Sequence, residues 1–459
     1  LGLGGKRMKT PPILSIHLSS GRGPRLLLQT CLLPAAILLP AALNADDEIA
    51  EAPVAEKSSV FELGEIVVKG VAESDIASLN TTMSAEDISI VSAKNVGRAL
   101  SSLPGVTLTR FGPRNEEAVY VRGFDRTNVP IYVDGVPVCV PYDGFADLAR
   151  FTTMDISSIT LSKGYSSVLS GPNAFGGVIN IVSAKPVNAF ESSASLGVYS
   201  GGGLRSDVSA GTRQDKWFAT LAASTDEMDN FTLPKDFVPT TYEDGDQRDN
   251  SYEKDWKVSG KVGYTPNATD EYVIGFSHQD GEKGTPPYAG SIATTAVKFW
   301  QWPQWNKSTV YYTSITHFGE SYIHPRFYYD QYDNTLNAFD DATYTTMAKK
   351  SSFISIYEDY SYGGSLEGGT DELDKVTLKA AVHYKLDHHN EHNVGYAHYE
   401  FEDSIWSSGV EATTKFDSPW KAQLGVGYDT ISTGKAVDSN TGLAVEGKEF
   451  DSINPAAVL

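Results

Sequence analysis

Alternation of apolar and polar residues dominates the chain from residue 189 onward. Segment 256–264 shows the pattern most clearly, and 217–224 and 271–277 carry it less strictly; such alternation is typical of strands with one apolar face. The alternating segments are roughly nine to twelve residues long, the length of a tilted membrane strand. Some joins between them are short, whereas others, such as 226–251, are long and polar. The pattern therefore predicts about a dozen antiparallel strands of a membrane β-barrel with a turn side and a loop side.

The region before this alternation predicts a small α/β domain at residues 84–187. A helix cap is predicted at Ser84, and a second helix with apolar residues at helical spacing ends at Pro104-Gly105. Short strands follow, and Asp134-Gly135 predicts a tight turn between two of them.

The first 83 residues predict an export signal and a leader. Residues 1–45 combine early basic residues with an apolar stretch and small residues, so we expect cleavage after Ala45, with Met8 as the start of translation. Residues 46–83 lack periodicity except for one isolated β-prone segment at 61–70. A lone strand cannot satisfy its own backbone groups, so this segment is predicted to pair with a partner.

The charge and composition of the chain limit the kinds of protein and partner that fit it. The net charge of −21 argues against nucleic acid as a partner, because phosphate binding needs a basic face. The chain contains 24 Tyr and 41 Gly, and this aromatic and glycine content suits barrel strands better than a plain soluble domain. Of the two cysteines, Cys31 lies in the predicted signal, which leaves Cys139 without a disulfide partner.

Five sequence motifs in one order carry a family resemblance. They are residues 95–106, 121–124, 129–138, 156–164 and 171–181. These motifs resemble the plug domain of TonB-dependent receptors. The resemblance implies an α+β plug domain inside a transmembrane antiparallel β-barrel of about 22 strands, located in the outer membrane of a Gram-negative cell. Residues 188–459 hold about half of such a barrel, and we expect the chain to be the N-terminal part of a longer receptor.

The resemblance also assigns roles to residues of the leader and plug. Glu65, Ile66, Val67 and Val68 resemble the TonB box, the segment that pairs by β-strand addition with the TonB protein of the inner membrane. Scaffold roles follow for residues inside the plug motifs, with Arg122 and Lys163 as cations that pair with carboxylates of the barrel wall. The scaffold set is Arg122, Gly123, Asp134, Gly135, Lys163, Gly164, Gly176 and Gly177.

The implied function is energised import of a scarce metal chelate, with a ferric siderophore favoured over haem or cobalamin. Arg110, Phe111, Arg114 and Tyr142 lie on the expected apical loops, where arginines and aromatic rings suit an anionic aromatic chelate. The alternative is that both arginines pair only with acidic barrel loops. A passive porin or barrel adhesin is the rival class, and it needs neither a plug nor a TonB box.

Weaker patterns add little to this hypothesis. The segment 388–392, with His383 and His398 nearby, suggests a metal site, but a solvated turn is the favoured interpretation, so no metal ligand is predicted. Trp300, Trp302 and Trp305 suggest an interfacial aromatic belt rather than a ligand-stacking loop. No nucleophile–base set or paired carboxylate indicates catalysis, and no cofactor is expected. The predicted partners are the TonB protein, outer-membrane lipid and the chelate.

Overall fold

A computed structural model describes residues 80–459 except 113, 142, 145, 164–166, 291–296, 374, 417–420 and 439–440. The predicted TonB box at 65–68, Gly164 and Tyr142 therefore lie outside the described residues. Within the described part of the chain, no helix is both long enough and apolar enough to span a membrane.

The described part of the plug contains two short helices and seven short strands. The helices are α1 (Ala85–Ile90) and α2 (Val96–Ser101). The strands are β1 (Asn80–Ser84), β2 (Val106–Phe111), β3 (Glu116–Val121), β4 (Ile131–Val133), β5 (Val136–Pro137), β6 (Ile156–Lys163) and β7 (Gly177–Ser183). Five of them form a sheet in the order β1-β6-β7-β4-β5, and β2 and β3 form a separate hairpin.

Local sequence signals account for the start of each helix. Ser84 caps α1, because its hydroxyl accepts a hydrogen bond from the Asp87 backbone N–H while the Asp87 carboxylate accepts one from the Ser84 N–H. Asn95 caps α2 by accepting from the Arg98 backbone N–H at 2.9 Å. The predicted cap at Ser84 is confirmed.

The plug core lies between α2 and the five-stranded sheet. Its most buried side chains are apolar residues of α2, β3, β6 and β7, with relative exposures of 0–2%: Val96, Ala99, Leu100, Val119, Val121, Ile159, Leu161, Ile179 and Ile181. Burial of each such side chain contributes on the order of 1.5–3 kcal/mol, so this cluster dominates the stability of the plug.

Twelve further strands form one continuous antiparallel sheet in chain order. They are β8 (Glu191–Tyr199), β9 (Gly203–Gln214), β10 (Trp217–Met228), β11 (Glu253–Tyr264), β12 (Glu271–Thr285), β13 (Trp300–Phe318), β14 (Ser321–Ala338), β15 (Phe353–Leu373), β16 (Val376–Asn393), β17 (Tyr399–Lys415), β18 (Lys421–Lys435) and β19 (Glu449–Val458). The prediction of about a dozen antiparallel strands is confirmed. Among the described residues, β8 and β19 each pair on one side only.

Alternation along these strands gives one face toward the plug and one away from it. On β10, Phe218, Ala222 and Ser224 are buried, whereas Leu221 is 56% exposed. The Ser224 hydroxyl lies 3.2 Å from the hydroxyl of plug residue Thr152, which identifies the buried face as the plug-facing one. Exposed apolar side chains on the outer face are what contact with lipid requires.

Strands β12 to β18 are longer than the sequence pattern predicted, whereas β8 to β11 and β19 have the predicted length. β15 has 21 residues and β13 has 19, whereas nine to twelve were expected. Gly363 and Gly364 lie inside β15, although adjacent glycines are more typical of loops. A Cβ at Gly363 would clash with the Tyr384 carbonyl oxygen and would lie 2.7 Å from the Tyr328 hydroxyl, so only glycine fits beneath that ring.

The expected tryptophan belt is wrong for two of its three residues. Trp302 and Trp305 are only 1% and 3% exposed, and Trp305 packs edge-on against Phe151 of the plug. The cause is a bulge in β13, where the register to β14 shifts between Gln301 and Gln304. One extra residue reverses the alternation, so both indoles lie on the inner face.

Candidate functional site

The central hairpin of the plug contacts the barrel wall directly. Asp134 and Gly135 occupy its turn with φ angles of 50° and 81°, as the sequence predicted. The Asp134 carboxylate accepts hydrogen bonds from the Ser183 backbone N–H at 2.9 Å and from the Tyr311 hydroxyl at 2.6 Å. Burial raises the pKa of Asp134, but Lys261 and these hydrogen bonds outweigh it and hold the pKa below its usual value. Asp134 therefore stays ionised and links the plug to β11 and β13.

A second link centres on Arg150, a plug residue at the end of a 3₁₀ turn, Leu148–Arg150. Its guanidinium lies 2.7 Å from Asp255 and 3.4 Å from Glu253, both on β11. Asp147 of the plug lies 2.7 Å from Lys283 of β12. Arg150 and Asp147 are each only about 1% exposed at the side chain, so these pairs are buried between plug and wall.

A third group of contacts continues this interface along the same strands. Asp155 of the plug accepts from Lys257 at 2.8 Å and from the Ser259 hydroxyl at 2.6 Å. Lys185 lies 2.7 Å from Glu271 at the beginning of β12. Ion pairs thus hold the plug against β11 and β12, and the plug and the wall each contribute both acidic and basic side chains.

Sequence reasoning missed Arg150 and its partners, although a signal exists. On β11, residues 253, 255, 257 and 261 are all charged at positions of one face. Charges on the inner face of a barrel strand need partners inside the lumen. The partners are distant in sequence, so the chain alone does not identify them.

The predicted wall contacts of Arg122 and Lys163 are wrong. Lys163 is buried, but its ammonium donates to the carbonyl of Pro104, a residue of the plug itself, at 3.1 Å. Arg122 is exposed and takes a φ of 51° beside Gly123. Both residues lie beside the Pro104-Gly105 turn of the plug, whereas the wall contacts described above come from Asp134, Asp147, Arg150, Asp155 and Lys185.

At three of the predicted scaffold glycines, neighbouring atoms lie too close for a Cβ. A Cβ at Gly135 would lie 2.8 Å from the Arg326 side chain, and a Cβ at Gly177 would clash with the Ser162 carbonyl oxygen. Gly177 also has a φ of 129°, which other residues rarely adopt. A Cβ at Gly176 would clash with the Cβ of Phe124, which follows β3.

The two apical loops of the plug lie together. Arg114 pairs with Glu116 at 3.0 Å and with Asp143 of the second loop at 3.3 Å. Arg110 pairs with fully buried Glu117 at 2.6 Å. Phe111 lies under the guanidinium of Arg126 at 4.3 Å. The carboxylates nearest both arginines thus belong to the plug rather than to the barrel loops.

Burial shapes the electrostatics of this apex. Burial raises the pKa of Glu116, and Lys283 and Arg114 only partly oppose that effect. The side chains of Arg110 and Arg114 remain about a third exposed, at 31% and 32%. Each guanidinium therefore neutralises a plug carboxylate while keeping part of its surface accessible.

The histidine-rich segment does not form the predicted solvated turn. His388 and His389 lie within β16, and the turn begins only after Asn393. His389 is buried on the inner face, with Nδ1 2.8 Å from the Asp359 carboxylate of β15. The alternation of β16 continues through this polar segment, so consecutive histidines face opposite sides of the sheet.

The sequence profile of one family, the TonB-dependent Receptor Plug Domain, matches residues 72–178. This match covers the central hairpin and Arg150, and the twelve-stranded sheet that holds the plug has the architecture of the barrels in this family. Residues 72–178 therefore form a plug domain of the type found in TonB-dependent receptors. The prediction of an α+β plug within an antiparallel barrel sheet is confirmed.

Relatives of the chain include the vitamin B12 transporter BtuB of Photobacterium profundum. The two are 29% identical over 153 residues, which is 33% of this chain and 25% of the relative. The chain therefore spans about a quarter of that relative's length in the matched region.

Solved structures show the same fold at low sequence identity. The copper transporter OprC matches with a TM-score of 0.66 and 16% identity, covering 83% of this chain and 61% of OprC. The FrpB iron transporter from Neisseria meningitidis (F3-3 variant) matches with a TM-score of 0.66 and 13% identity, covering 82% and 62% of the two chains. Both of these proteins are named as transporters.

Proposed function

We propose that the chain is part of an outer-membrane receptor that imports a scarce metal chelate with energy supplied through the TonB protein. Among the matched proteins are transporters named for copper, iron and vitamin B12. A ferric siderophore is the favoured cargo, and haem and cobalamin are the alternatives within the same class.

The observation that carries this proposal is the set of buried ion pairs between plug and wall. Breaking one buried pair by removing a partner typically costs about 3–5 kcal/mol. Arg150–Asp255 and Lys283–Asp147 hold the plug against β11 and β12, and in a closed barrel a plug held in this way would prevent free diffusion of solutes. Passage requires external work, which argues against a passive porin or adhesin.

The proposed source of that work is a pull on the leader. Residues 65–68 precede the plug, whose strand β1 begins at Asn80 and pairs with β6. Strand addition by the TonB protein needs only main-chain hydrogen bonds from this segment. Force applied there reaches the plug sheet through β1. The test is whether uptake stops when the proton-motive force is dissipated while surface binding persists.

The proposed chelate site is the plug apex at Arg110, Phe111, Arg114 and Tyr142. Support comes from the joining of the two apical loops by Arg114 and Asp143 and from the partial exposure of both arginines. An anionic aromatic chelate gains charge-assisted hydrogen bonds from guanidinium groups and stacking from aromatic rings.

Replacement of both arginines by alanine is expected to weaken chelate binding at the cell surface. Each charge-assisted contact is worth on the order of 1.5–3 kcal/mol, so the dissociation constant should rise at least tenfold. Binding of radiolabelled ferric catecholate and hydroxamate siderophores, haem and cyanocobalamin to cells measures the effect.

The matched control is Arg98→Ala. Arg98 lies 3.6 Å from the same Glu117 carboxylate but stands outside the apical loops. It should leave affinity unchanged, which separates ligand contact from a change in the Glu117 environment. An affinity of the double variant within about a factor of two of the parent removes the apex arginines from the site.

A further inference from the structure

The loop-side ends of β15 and β16 and the connection to β17 bring three metal-binding side chains together. They are Glu358 of β15, His392 near the end of β16 and His398 just before β17. One ligand atom from each residue lies within 4.8 Å of the other two. The rings of His392 and His398 stack with centroids 3.9 Å apart. The three ligand atoms are thus close enough to share one ion.

Hydrogen bonds hold two of these side chains in position. The Asn390 side-chain oxygen lies 3.3 Å from His398 Nδ1, and the Asn390 amide donates to Glu358 at 3.2 Å. A histidine whose Nδ1–H donates in this way presents a lone pair on Nε2. Asn390 thus acts as the supporting residue that metal-binding histidines and carboxylates commonly have.

His392 supplies the independent sign of a missing ligand. Its Nδ1 is shielded from solvent and has no hydrogen-bond partner among the described residues. A buried polar atom without a partner is costly, on the order of 1–3 kcal/mol. A bound cation at this position removes that cost if Nδ1 is the coordinating atom.

The cluster lies on the outer face of the sheet. On β16, His383 and Lys385 contact plug residues Leu169 and Cys139, whereas Val382 is 44% exposed. The pairing of β16 with β17 runs from residue 376 to 391 without a shift. His392 is therefore on the same face as Val382 and away from the lumen. The site is separate from the plug and from the proposed chelate site.

We propose that Glu358, His392 and His398 bind a divalent transition-metal ion such as Zn²⁺. Two imidazoles and one carboxylate suit zinc, nickel or copper, whereas Ca²⁺ and Mg²⁺ prefer all-oxygen sites. Water completes the coordination. The ion cross-links β15, β16 and the connection before β17. This cross-link stabilises the loop-side ends of these strands. This inference stands independently of the transport function.

Metal titration of the purified full receptor in detergent tests the proposal, with Co²⁺ as the visible-absorption probe and Zn²⁺ as its competitor. The parent is expected to bind one equivalent of Co²⁺ with d–d absorption that Zn²⁺ removes. His392→Ala and His398→Ala should each weaken binding by about 10–100-fold or more, since even supporting residues contribute that much. Glu358→Gln should weaken binding in the same direction.

The matched control is His278→Ala, which removes another histidine of the barrel. His278 lies 2.8 Å from the Ser308 hydroxyl and packs against Trp256, outside the cluster. Its variant should bind Co²⁺ as the parent does. Two results overturn the proposal: no saturable Co²⁺ or Zn²⁺ binding by the parent, or equal binding by the parent, His392→Ala and His398→Ala. Chelate uptake plays no part in the measurement, so its outcome is independent of the cargo.

Discussion

A receptor with Val67→Pro is expected to bind chelate at the cell surface and to import none. Proline lacks a backbone N–H and fixes φ, so it removes a donor and interrupts the strand that the TonB protein must extend. Accumulation of radiolabelled iron inside cells should fall to the level of cells without the receptor. Surface binding at low temperature should equal that of the parent, which shows that the receptor is folded and exported.

Val67→Ile is the matched control, because it keeps the main-chain donor and the β-branched side chain. Its uptake should equal that of the parent. Val67 lies outside the described residues, so the expectation rests on its sequence context alone. Undiminished uptake by the proline variant shows that residues 65–68 are not the coupling segment.

Replacement of Arg150 by alanine is expected to loosen the plug by about 3–5 kcal/mol, because it leaves buried carboxylates without their cation. Asp255 and Glu253 lose the guanidinium at 2.7 and 3.4 Å. The midpoint of plug unfolding in urea, followed by protease cleavage of the plug in purified receptor, should shift strongly downward. The barrel should keep its resistance to protease.

Lys254→Ala is the control on the same strand. Its ion pair with Glu282 is exposed, at 50% and 38% of the two side chains, so its loss should change the free energy of unfolding by about 0–1 kcal/mol. Equal shifts for the two variants contradict the assignment of Arg150 as a fastening residue between plug and wall.

Local signals in the sequence predicted the plug well. The turn at Asp134-Gly135 and the cap at Ser84 depend on neighbours within a few residues, and both are present. The alternation likewise predicted the number of strands. The outer face of each barrel strand is apolar regardless of which plug residues contact the inner face. These features need no knowledge of distant parts of the chain.

Contacts between segments that are distant in sequence explain why the plug–wall contacts and the inward tryptophans were not predicted. Arg150 meets Asp255, and Asp134 meets Tyr311, only after the plug docks on the wall. The bulge in β13 reverses the alternation and turns Trp302 inward, which no composition rule predicts. Strand ends beyond the lipid carry polar side chains, so the histidines of β16 resembled a turn.

The position of Gly363 within β15 also depends on a residue that is distant in sequence. Gly363 sits in mid-strand because the Tyr328 ring of β14 lies over it. A glycine pair normally indicates a loop, but here the neighbouring strand supplies the side chain that fills the space.

Energy dependence of uptake is the most direct test of the central claim. Cells that express the full receptor are given radiolabelled ferric siderophores, haem or cyanocobalamin, with and without an uncoupler of the proton-motive force. The account predicts that at least one of these compounds binds at the surface in both conditions and accumulates inside only without the uncoupler. Accumulation that continues at the same rate after the proton-motive force is dissipated contradicts it.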